Sequence, residues 1–354
     1  QQELYPQNDF HNMAIGQLRN EKGVPLEIEV PFPGRTVKAW VWKCQVGRVP
    51  LYLMDCDHEA NTQADKAITG QLYGGDRETR IKQEIMLGMG GVALLRTVGL
   101  HPTVYHINEG HAAFMTLQRI KDLMQRDKIS FCQAVEVVKV SSLFTTHTPV
   151  PAGNDMFDPA LIGVYFTDLC NQLGVSLNDL LALGRQNPND SREPFCMTVL
   201  ALKLSAASNG VSELHGKVAR NMWQQVYKGV PEDEVPISHV TNGVHIRSWI
   251  SRDLATLYDR YVGPEWVNSP HDSSIWERIE SIPDTELWRT HERRRERLVN
   301  FARRRMLRQL INRGAPSSDQ RIASELLDSE TLTIGFARRF ATYKRATLLF
   351  KDPE

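Results

Sequence analysis

Apolar residues in the first third of the chain follow a helical spacing and then a strand pattern. Between residues 80 and 96 they recur every three or four positions, and Gly99 ends the run. This spacing predicts an amphipathic helix with one face in a core. The apolar run 103–107 then predicts a short buried strand, followed by a turn at 108–110 and a second helix over 111–124.

The same order of helix and strand repeats further along the chain. A helical pattern covers 130–140, a strand pattern covers 143–146, and a proline-rich loop at 148–151 precedes further helices. Such alternation predicts a parallel sheet covered by helices. Ligands bind beyond the carboxyl ends of the strands in such sheets, so the segments 108–111 and 147–149 are expected to share a crevice.

The remaining segments follow other patterns. Strand-forming residues between turn residues over 26–56 predict two or three antiparallel strands. A helical segment is predicted from 196 to 227. The Arg-rich stretch 286–313 predicts an amphipathic helix rather than a nucleic-acid-binding segment, because acidic and apolar residues are interleaved with the arginines. After a linker at 314–330, the run 332–336 predicts the first strand of a second sheet.

Composition narrows the class of protein. The chain is 41% hydrophobic and 24% charged, and it has no apolar run long enough to cross a membrane, which is typical of a globular protein in water. The 42 basic and 42 acidic residues cancel, so the overall charge does not favour nucleic acid or an anionic membrane. The five cysteines are widely spaced and form no CxxC pair, which argues against a disulfide framework and favours a reducing cytoplasm.

A basic segment at 337–345 follows the last predicted strand. Its four cations are Arg338, Arg339, Lys344 and Arg345. Guanidinium and ammonium groups bind phosphate oxygens through charge-assisted hydrogen bonds. The segment is therefore either a phosphate site or a solvated basic surface.

A second polar cluster, 106–111, contains two histidines and one carboxylate. No metal site is expected there, since its spacing differs from that of the HExxH motif, in which two histidines share one helical face. Asn108, Glu109 and His111 are instead predicted to hydrogen-bond a sugar or neighbouring loops. His147 lies in an extended segment where its backbone carbonyl can face a ligand, although a structural histidine has the same pattern.

Two Asn-Gly pairs, at 209–210 and 242–243, predict turns. Asn242 can present its amide to hydroxyl groups, but most Asn-Gly pairs only turn the chain.

The order of these motifs resembles that of the α-glucan phosphorylase family, particularly its maltodextrin branch. Six motifs follow the family's order and together span nearly the whole chain. They are Tyr73 with Arg80-Ile81-Lys82-Gln83-Glu84, His106-Ile107-Asn108-Glu109-Gly110-His111, Thr146-His147-Thr148, Asn209-Gly210-Val211, Thr241-Asn242-Gly243 and Arg339-Phe340-Ala341-Thr342-Tyr343-Lys344-Arg345. The resemblance depends on the order of all six motifs, because each motif is too short to indicate a family by itself.

The resemblance implies an α/β fold, namely a Rossmann-like lobe of a two-lobed glycosyltransferase with only the start of the second lobe. It divides the chain into a β-rich part at 1–57, a sugar-binding lobe at 58–313, the linker at 314–330 and the start of a cofactor and phosphate lobe at 331–354. It also implies an enzyme that splits α-1,4-glucan ends with inorganic phosphate, gives glucose 1-phosphate with retention, and depends on pyridoxal phosphate. An allosteric, cytoplasmic homodimer is typical of the family.

The same resemblance assigns roles to individual residues. The catalytic residues would be His147, Arg339 and Lys344, with the backbone carbonyl of His147 against the reacting glucose. The substrate-binding residues would be Asn108, Glu109, His111 and Asn242. The residues near phosphate and cofactor would be Arg338, Arg339, Tyr343 and Lys344, with Arg338 in place of a lysine. A phosphate held by cations can protonate the leaving glucan and stabilise the charge that develops near the anomeric carbon.

The chain also departs from the family pattern. The glycine-rich loop and the lysine that binds the cofactor are not among these 354 residues, so pyridoxal phosphate is expected only in the complete protein and the isolated chain is expected to be inactive. The loop between Tyr73 and Arg80 is short, which implies a reduced gate. Two alternatives stay open: a non-catalytic glucan-binding module, and a nucleotide-sugar glycosyltransferase of the same architecture.

Overall fold

The computed structural model describes residues 9–72, 75–150, 153–338 and 344–352, and every structural statement below refers to these ranges. The chain forms two compact units, Gln1–Asn242 and Gly243–Glu354. This division by spatial contacts differs from the four segments expected from the sequence, which stay a prediction.

An antiparallel sheet opens the first unit and confirms the expected β-rich region. Its strands are β1 (Gly16–Gln17), β2 (Glu27–Phe32), β3 (Arg35–Val46) and β4 (Val49–Asp55). β3 pairs with the other three strands, and Val30 lies opposite Val37 in the register with β2. Alternate residues of β3, among them Val37, Ala39 and Val41, are buried. One face of this sheet therefore packs into the core.

A parallel sheet forms the centre of the first unit, as the alternation of helices and strands predicts. Its strands are β5 (Tyr105–Asn108), β6 (Ser142–Thr146), β9 (Ala207–Gly210) and β10 (Ile237–His239), in the spatial order β10-β9-β6-β5. All neighbouring strands are parallel, with Asn108 opposite Thr145 and Thr146 opposite Gly210. The segments that follow these four strands therefore emerge at one edge.

Helices surround this sheet. A short antiparallel pair, β7 (Met156–Phe157) and β8 (Phe195–Cys196), encloses two of these helices along the chain. The helices of the first unit are α1 (Gln63–Lys66), α2 (Arg77–Ile85), α3 (Gly91–Thr97), α4 (Phe114–Asp127), α5 (Phe131–Val140), α6 (Pro159–Leu173), α7 (Leu177–Leu183), α8 (Met197–Lys203) and α9 (Glu213–Trp223). Several begin at side chains that accept a hydrogen bond from the first turn, such as Ser130 before α5 and Asp158 before α6. These caps satisfy amide groups that have no partner within the helix.

The helix predicted over residues 80–96 is interrupted by a π-helical turn at Met86–Gly90, between α2 and α3. Gly88 lies against the start of α4, where a Cβ atom would be 2.8 Å from the amide nitrogen of Met115 and 3.0 Å from the carbonyl oxygen of Ala112. Gly88 thus lets the π-helical turn approach the start of α4 more closely than a residue with a Cβ atom would allow.

We expect Gly88→Ala to lower the free energy of unfolding by about 1–3 kcal/mol, because the added methyl group must displace backbone atoms. Gly91→Ala is the matched control, since no atom of the described residues outside the helix's own backbone lies within 4 Å of its Cβ position. It should raise the free energy of unfolding by roughly 0.5–1 kcal/mol by lowering chain entropy in the unfolded state. Urea denaturation measures both. Equal effects of the two substitutions would contradict the close packing.

The second unit is helical. Its helices are α10 (Ile246–Trp249), α11 (Arg252–Tyr261), α12 (Ser273–Trp276), α13 (Asp284–Asn312) and α14 (Ser317–Glu325). A small core of Val262, Trp266 and Ile275 supports it. The predicted Arg-rich helix is confirmed as α13, and its Arg294 and Arg297 both pair with Asp253 of α11.

Two expectations about secondary structure are corrected. The segment 196–227 is not helical throughout, because it contains the central strand β9. The run 332–336 is not a strand: these residues have no regular structure, and Leu332 is 79% exposed. Their composition favours a strand, but no neighbouring strand among the described residues pairs with them. The linker region 314–330 includes the short helix α14, and its role as a boundary between domains stays a prediction.

Within the described ranges, none of the helices combines the length and the apolar character needed to span a membrane.

Candidate functional site

The predicted crevice loops meet at the carboxyl edge of the parallel sheet. Glu109 follows β5 directly and has φ 61° and ψ 175°, a conformation that is strained for any residue other than glycine. Its amide nitrogen donates to the carbonyl oxygen of Thr145 at 2.9 Å. The turn after β5 is thereby fixed against β6.

The carboxylate of Glu109 holds the loop that follows β6. Its Oε1 atom accepts hydrogen bonds from the backbone amides of His147 and Thr148, the latter at 2.9 Å, and from the Thr146 hydroxyl at 3.3 Å. Its Oε2 atom accepts from the Thr148 hydroxyl at 3.2 Å. Both carboxylate oxygens are thus bonded within the protein. Glu109 positions the backbone of the exposed residue His147 rather than projecting freely into the crevice.

A chain of polar side chains crosses the sheet below this loop. His106 Nε2 lies 2.7 Å from the Thr145 hydroxyl, which donates to Asn209 Oδ1 at 2.9 Å. Because the hydroxyl has one hydrogen and gives it to Asn209, Nε2 of His106 must be the donor in the first contact. Asn209 therefore belongs to a strand and to this network, so it does more than turn the chain.

The segment after β10 reaches the same edge. Val240 donates its amide hydrogen to the Gly210 carbonyl at 3.0 Å, and Asn242 donates to the Val211 carbonyl at 3.0 Å. Asn242 is exposed beside the segment after β9. The structure therefore brings Asn108, Glu109, His147 and Asn242 to one edge of one sheet.

A partly buried ion cluster contains Arg80, Glu84, His111 and Asp155, and its His111 lies in the same turn after β5 as Glu109. Arg80 Nη2 is 3.2 Å from Glu84 Oε1 and 2.9 Å from Asp155 Oδ2. His111 Nδ1 is 3.5 Å and 3.1 Å from the same two oxygens. Two cations and two carboxylates from α2, from the turn after β5 and from the segment before β7 thus converge at one point.

The pKa values in this cluster are displaced in opposite directions. Burial raises the pKa of Glu84 to about 8, against the opposing effect of its contact with His111. The hydrogen bonds with Asp155 and Glu84 raise the pKa of His111 to about 9. Burial by itself would raise the pKa of Asp155, but its contacts with His111, Glu84 and Arg80 outweigh burial and lower it.

These displacements predict a loss of stability at alkaline pH. A raised pKa in the folded state stabilises the fold while the group is protonated, so the contribution of His111 is complete below pH about 6.5 and is lost as the pH rises through about 9. The contribution from Glu84 is lost earlier, between pH about 4.5 and about 8. Between pH 8 and 9.5 we therefore expect the free energy of unfolding to fall, and to fall less in His111→Gln.

Urea denaturation at several pH values measures this slope. His101→Gln, which alters an exposed histidine, is the control and should keep the wild-type slope. An unchanged slope in His111→Gln would show that His111 is not protonated in the folded state at pH 8.

Glu84, His111 and Asp155 also offer three donor atoms within 4.8 Å of one another, a spacing that suits a metal ion. Arg80 already places a guanidinium group against both carboxylates, so a metal ion would have to displace it. Both carboxylates already have cationic partners within the protein, and this geometry favours an ion cluster over a metal centre.

The basic segment is described only in part. Arg338 is exposed, and its guanidinium donates to the carbonyl of Ala337 at 2.9 Å. Lys344 is half-buried, and a short 3-10 helix follows at Ala346–Phe350. Arg339 and Tyr343 lie outside the described residues, as does Tyr73. Their predicted roles stay predictions.

The sequence pattern did not reveal the ion cluster. Arg80 and Glu84 are four residues apart on α2, a spacing that places them on one helix face. Asp155, however, comes from an irregular segment after a proline-rich loop and carries no sequence signal.

Comparison with known proteins identifies relatives along the whole chain. It is 41% identical over 356 residues to a maltodextrin phosphorylase of Thermococcus litoralis, which covers 99% of this chain and 41% of that protein. It is 37% identical over 366 residues to a glycogen phosphorylase of Mycobacterium tuberculosis, covering 100% of this chain and 42% of that protein. It is 36% identical over 354 residues to a glycogen phosphorylase of Aquifex aeolicus, and the match covers 100% of this chain and 50% of that protein.

No family model matches the chain. The similarity to individual phosphorylases nevertheless extends from end to end, while the chain spans only 41% to 50% of the length of these three relatives. Such identity over more than 350 residues agrees with the motif order seen in the sequence. The chain therefore belongs to the α-glucan phosphorylase family, as a homologue over its own whole length.

Proposed function

We propose that the protein takes part in α-glucan phosphorolysis, the retaining cleavage of an α-1,4-glucan end by inorganic phosphate to give glucose 1-phosphate. One observation carries the proposal. The segments that resemble the family's sugar-binding motifs come from β5, β6 and β10, and they lie at one edge of one sheet, where Glu109 bonds to the loop of His147. Glycogen and maltodextrin phosphorylases are similar to this chain over its whole length.

His147 and Asn242 are proposed to hold the reacting glucose. The bonds from Glu109 to the amides of His147 and Thr148 fix the loop, so the His147 carbonyl can keep a constant position against the sugar. Asn242 is held through its backbone and has an exposed side chain, which suits an amide that binds hydroxyl groups. Glu109 and His111 are proposed to lie near the acceptor side of the glucan, and Asn108 is proposed to bind the substrate as well.

Phosphate is proposed to bind the basic segment 337–345. Arg338 is exposed and forms no ion pair with the described residues, and Lys344 follows within the same segment. These cationic donors fit a phosphate group, whether it is the substrate or part of the cofactor. Pyridoxal phosphate, when bound in the complete protein, would supply a phosphate group for proton transfer. Arg338, Arg339, Tyr343 and Lys344 are the residues proposed to hold the phosphates in place.

The complete enzyme is proposed to have two Rossmann-like lobes with the crevice between them, and to act as a cytoplasmic homodimer. The parallel sheet supports the first lobe, and the five cysteines, all unpaired, fit a reducing compartment. No specific observation favours the nucleotide-sugar transferase.

Phosphorolysis of maltoheptaose tests the proposal. The chain and the full-length natural protein are each incubated with phosphate and pyridoxal phosphate, and glucose 1-phosphate is measured together with maltoheptaose binding. We expect the full-length protein to release glucose 1-phosphate and the chain alone to bind maltoheptaose. Extension of maltoheptaose by a nucleotide sugar, without cleavage by phosphate, would overturn the assignment. Binding by both proteins without release by either would favour the glucan-binding module.

A further inference from the structure

Glu84 and Asp155 compete for the same hydrogen-bond donors. Both carboxylates contact Arg80 Nη2, at 3.2 and 2.9 Å, and both contact His111 Nδ1, at 3.5 and 3.1 Å. A nitrogen of this ring carries one hydrogen and cannot donate fully to both carboxylates. Two ionised carboxylates so close together repel each other, which favours a proton on one of them.

Burial decides which carboxylate keeps the proton. The side chain of Glu84 is 2% exposed, whereas that of Asp155 is 27% exposed. Glu84 Oε2 is buried and has no hydrogen-bond partner among the described residues. An ionised oxygen without a donor is costly in such a place, while a protonated group can donate to Asp155. The charged groups that act on Glu84 are Arg80 from its own helix, His111 from the turn after β5 and Asp155 from the segment before β7.

We propose that Glu84 is a positioning residue, a buried carboxylic acid that stays protonated and donates to Asp155, so that Asp155 orients His111 and Arg80 under the glucan crevice. The part that concerns glucan rests on the proposed function. With Glu84 neutral, the cluster carries the charges of Arg80, His111 and Asp155 and keeps one positive charge in excess. Ionisation of Glu84 would cancel this excess and draw both cations away from Asp155.

Carboxyl and imidazole NMR test the proton on Glu84 without an activity assay. In the chain with ¹³C-labelled Glu side-chain carboxyls, we expect one glutamate signal to titrate near pH 8, and to be missing in Glu84→Gln. The midpoint of His111 should fall by about one pH unit in Glu84→Gln, since the ionised neighbour that stabilises the imidazolium at high pH is gone. Glu78→Gln, on the exposed side of the same helix, is the control and should change neither signal.

If every glutamate carboxyl titrates below pH about 6, or if the His111 midpoint is the same in wild type and Glu84→Gln, the proposal is wrong. Both measurements use a variant with nearly the same shape, so they do not depend on a folding defect. A purely structural role for Glu84 would leave the His111 midpoint unchanged.

Maltoheptaose binding at pH 7 tests the positioning. Glu84→Gln keeps a neutral donor to Asp155 and should bind within about twofold of wild type, while Glu84→Ala loses the donor and should bind on the order of tenfold more weakly. Wild-type affinity in a folded Glu84→Ala variant would overturn the positioning role. If the wild-type chain does not bind maltoheptaose, the proposed function fails, whereas the NMR titration still decides whether Glu84 holds the proton.

Discussion

Replacing Glu109 by alanine should lower the affinity for maltoheptaose at least tenfold and the free energy of unfolding by about 2–4 kcal/mol. Its carboxylate accepts hydrogen bonds from Thr146, His147 and Thr148, and all of them are lost. The strained backbone at φ 61° remains, but the contacts that compensated for the strain are gone. Calorimetric titration with maltoheptaose and urea denaturation measure the two effects.

A matched variant separates strain from hydrogen bonding. Glu109→Gly loses the same side-chain contacts but tolerates the backbone conformation, so it should be more stable than Glu109→Ala by about 1–2 kcal/mol. Both variants should bind maltoheptaose poorly, because the loop of His147 has lost its anchor. Equal stability of the two variants would show that the backbone relaxes. Wild-type affinity in both would show that Glu109 does not position the loop.

Replacing Arg80 by methionine should lower the free energy of unfolding by roughly 3 kcal/mol at pH 7, because Glu84 and Asp155 then share only His111 as a charged partner. The loss should be larger at about pH 9, because the Glu84 carboxyl is then mostly ionised and both carboxylates depend on the guanidinium group. Methionine keeps most of the apolar stem of the side chain, so that lost packing contributes little. Urea denaturation at the two pH values measures both losses.

Lys82→Met is the control for this prediction. Lys82 lies on the same helix and pairs with Glu78 at a more exposed position, where such a pair contributes about 0.3–0.5 kcal/mol. If Arg80→Met lowers the free energy of unfolding no more than Lys82→Met does, the stability of the cluster does not depend on Arg80.

Much of the site could be predicted because its residues directly follow strands with a clear apolar pattern. β5 and β6 are short apolar runs between helices, so their parallel pairing and the shared edge of Asn108, Glu109 and His147 followed from general rules of α/β sheets. The similarity to phosphorylases, which extends over the whole length of this chain, confirms the family that the motif order indicated. The roles of individual residues in binding and catalysis stay predictions.

The strand that was missed at 207–210 and the strand that was wrongly predicted at 332–336 have a common explanation. β9 is built from Ala207, Ser208, Asn209 and Gly210, which have little tendency to form a strand. It is a strand because β6 and β10 pair with its two edges. The run 332–336 shows the converse, since its residues favour a strand but have no pairing partner in the part of the chain that the structure describes.

The sequence by itself determined the α/β class, the edge of the sheet where the crevice loops meet and the family, because these depend on local periodicity and on the order of short motifs. Only the tertiary structure decided that Glu109 anchors the loop of His147 and that Arg80, Glu84, His111 and Asp155 form one cluster. Those contacts join residues up to 75 positions apart, and their energies depend on burial and on distances of a few ångströms. No local pattern along a chain encodes either quantity.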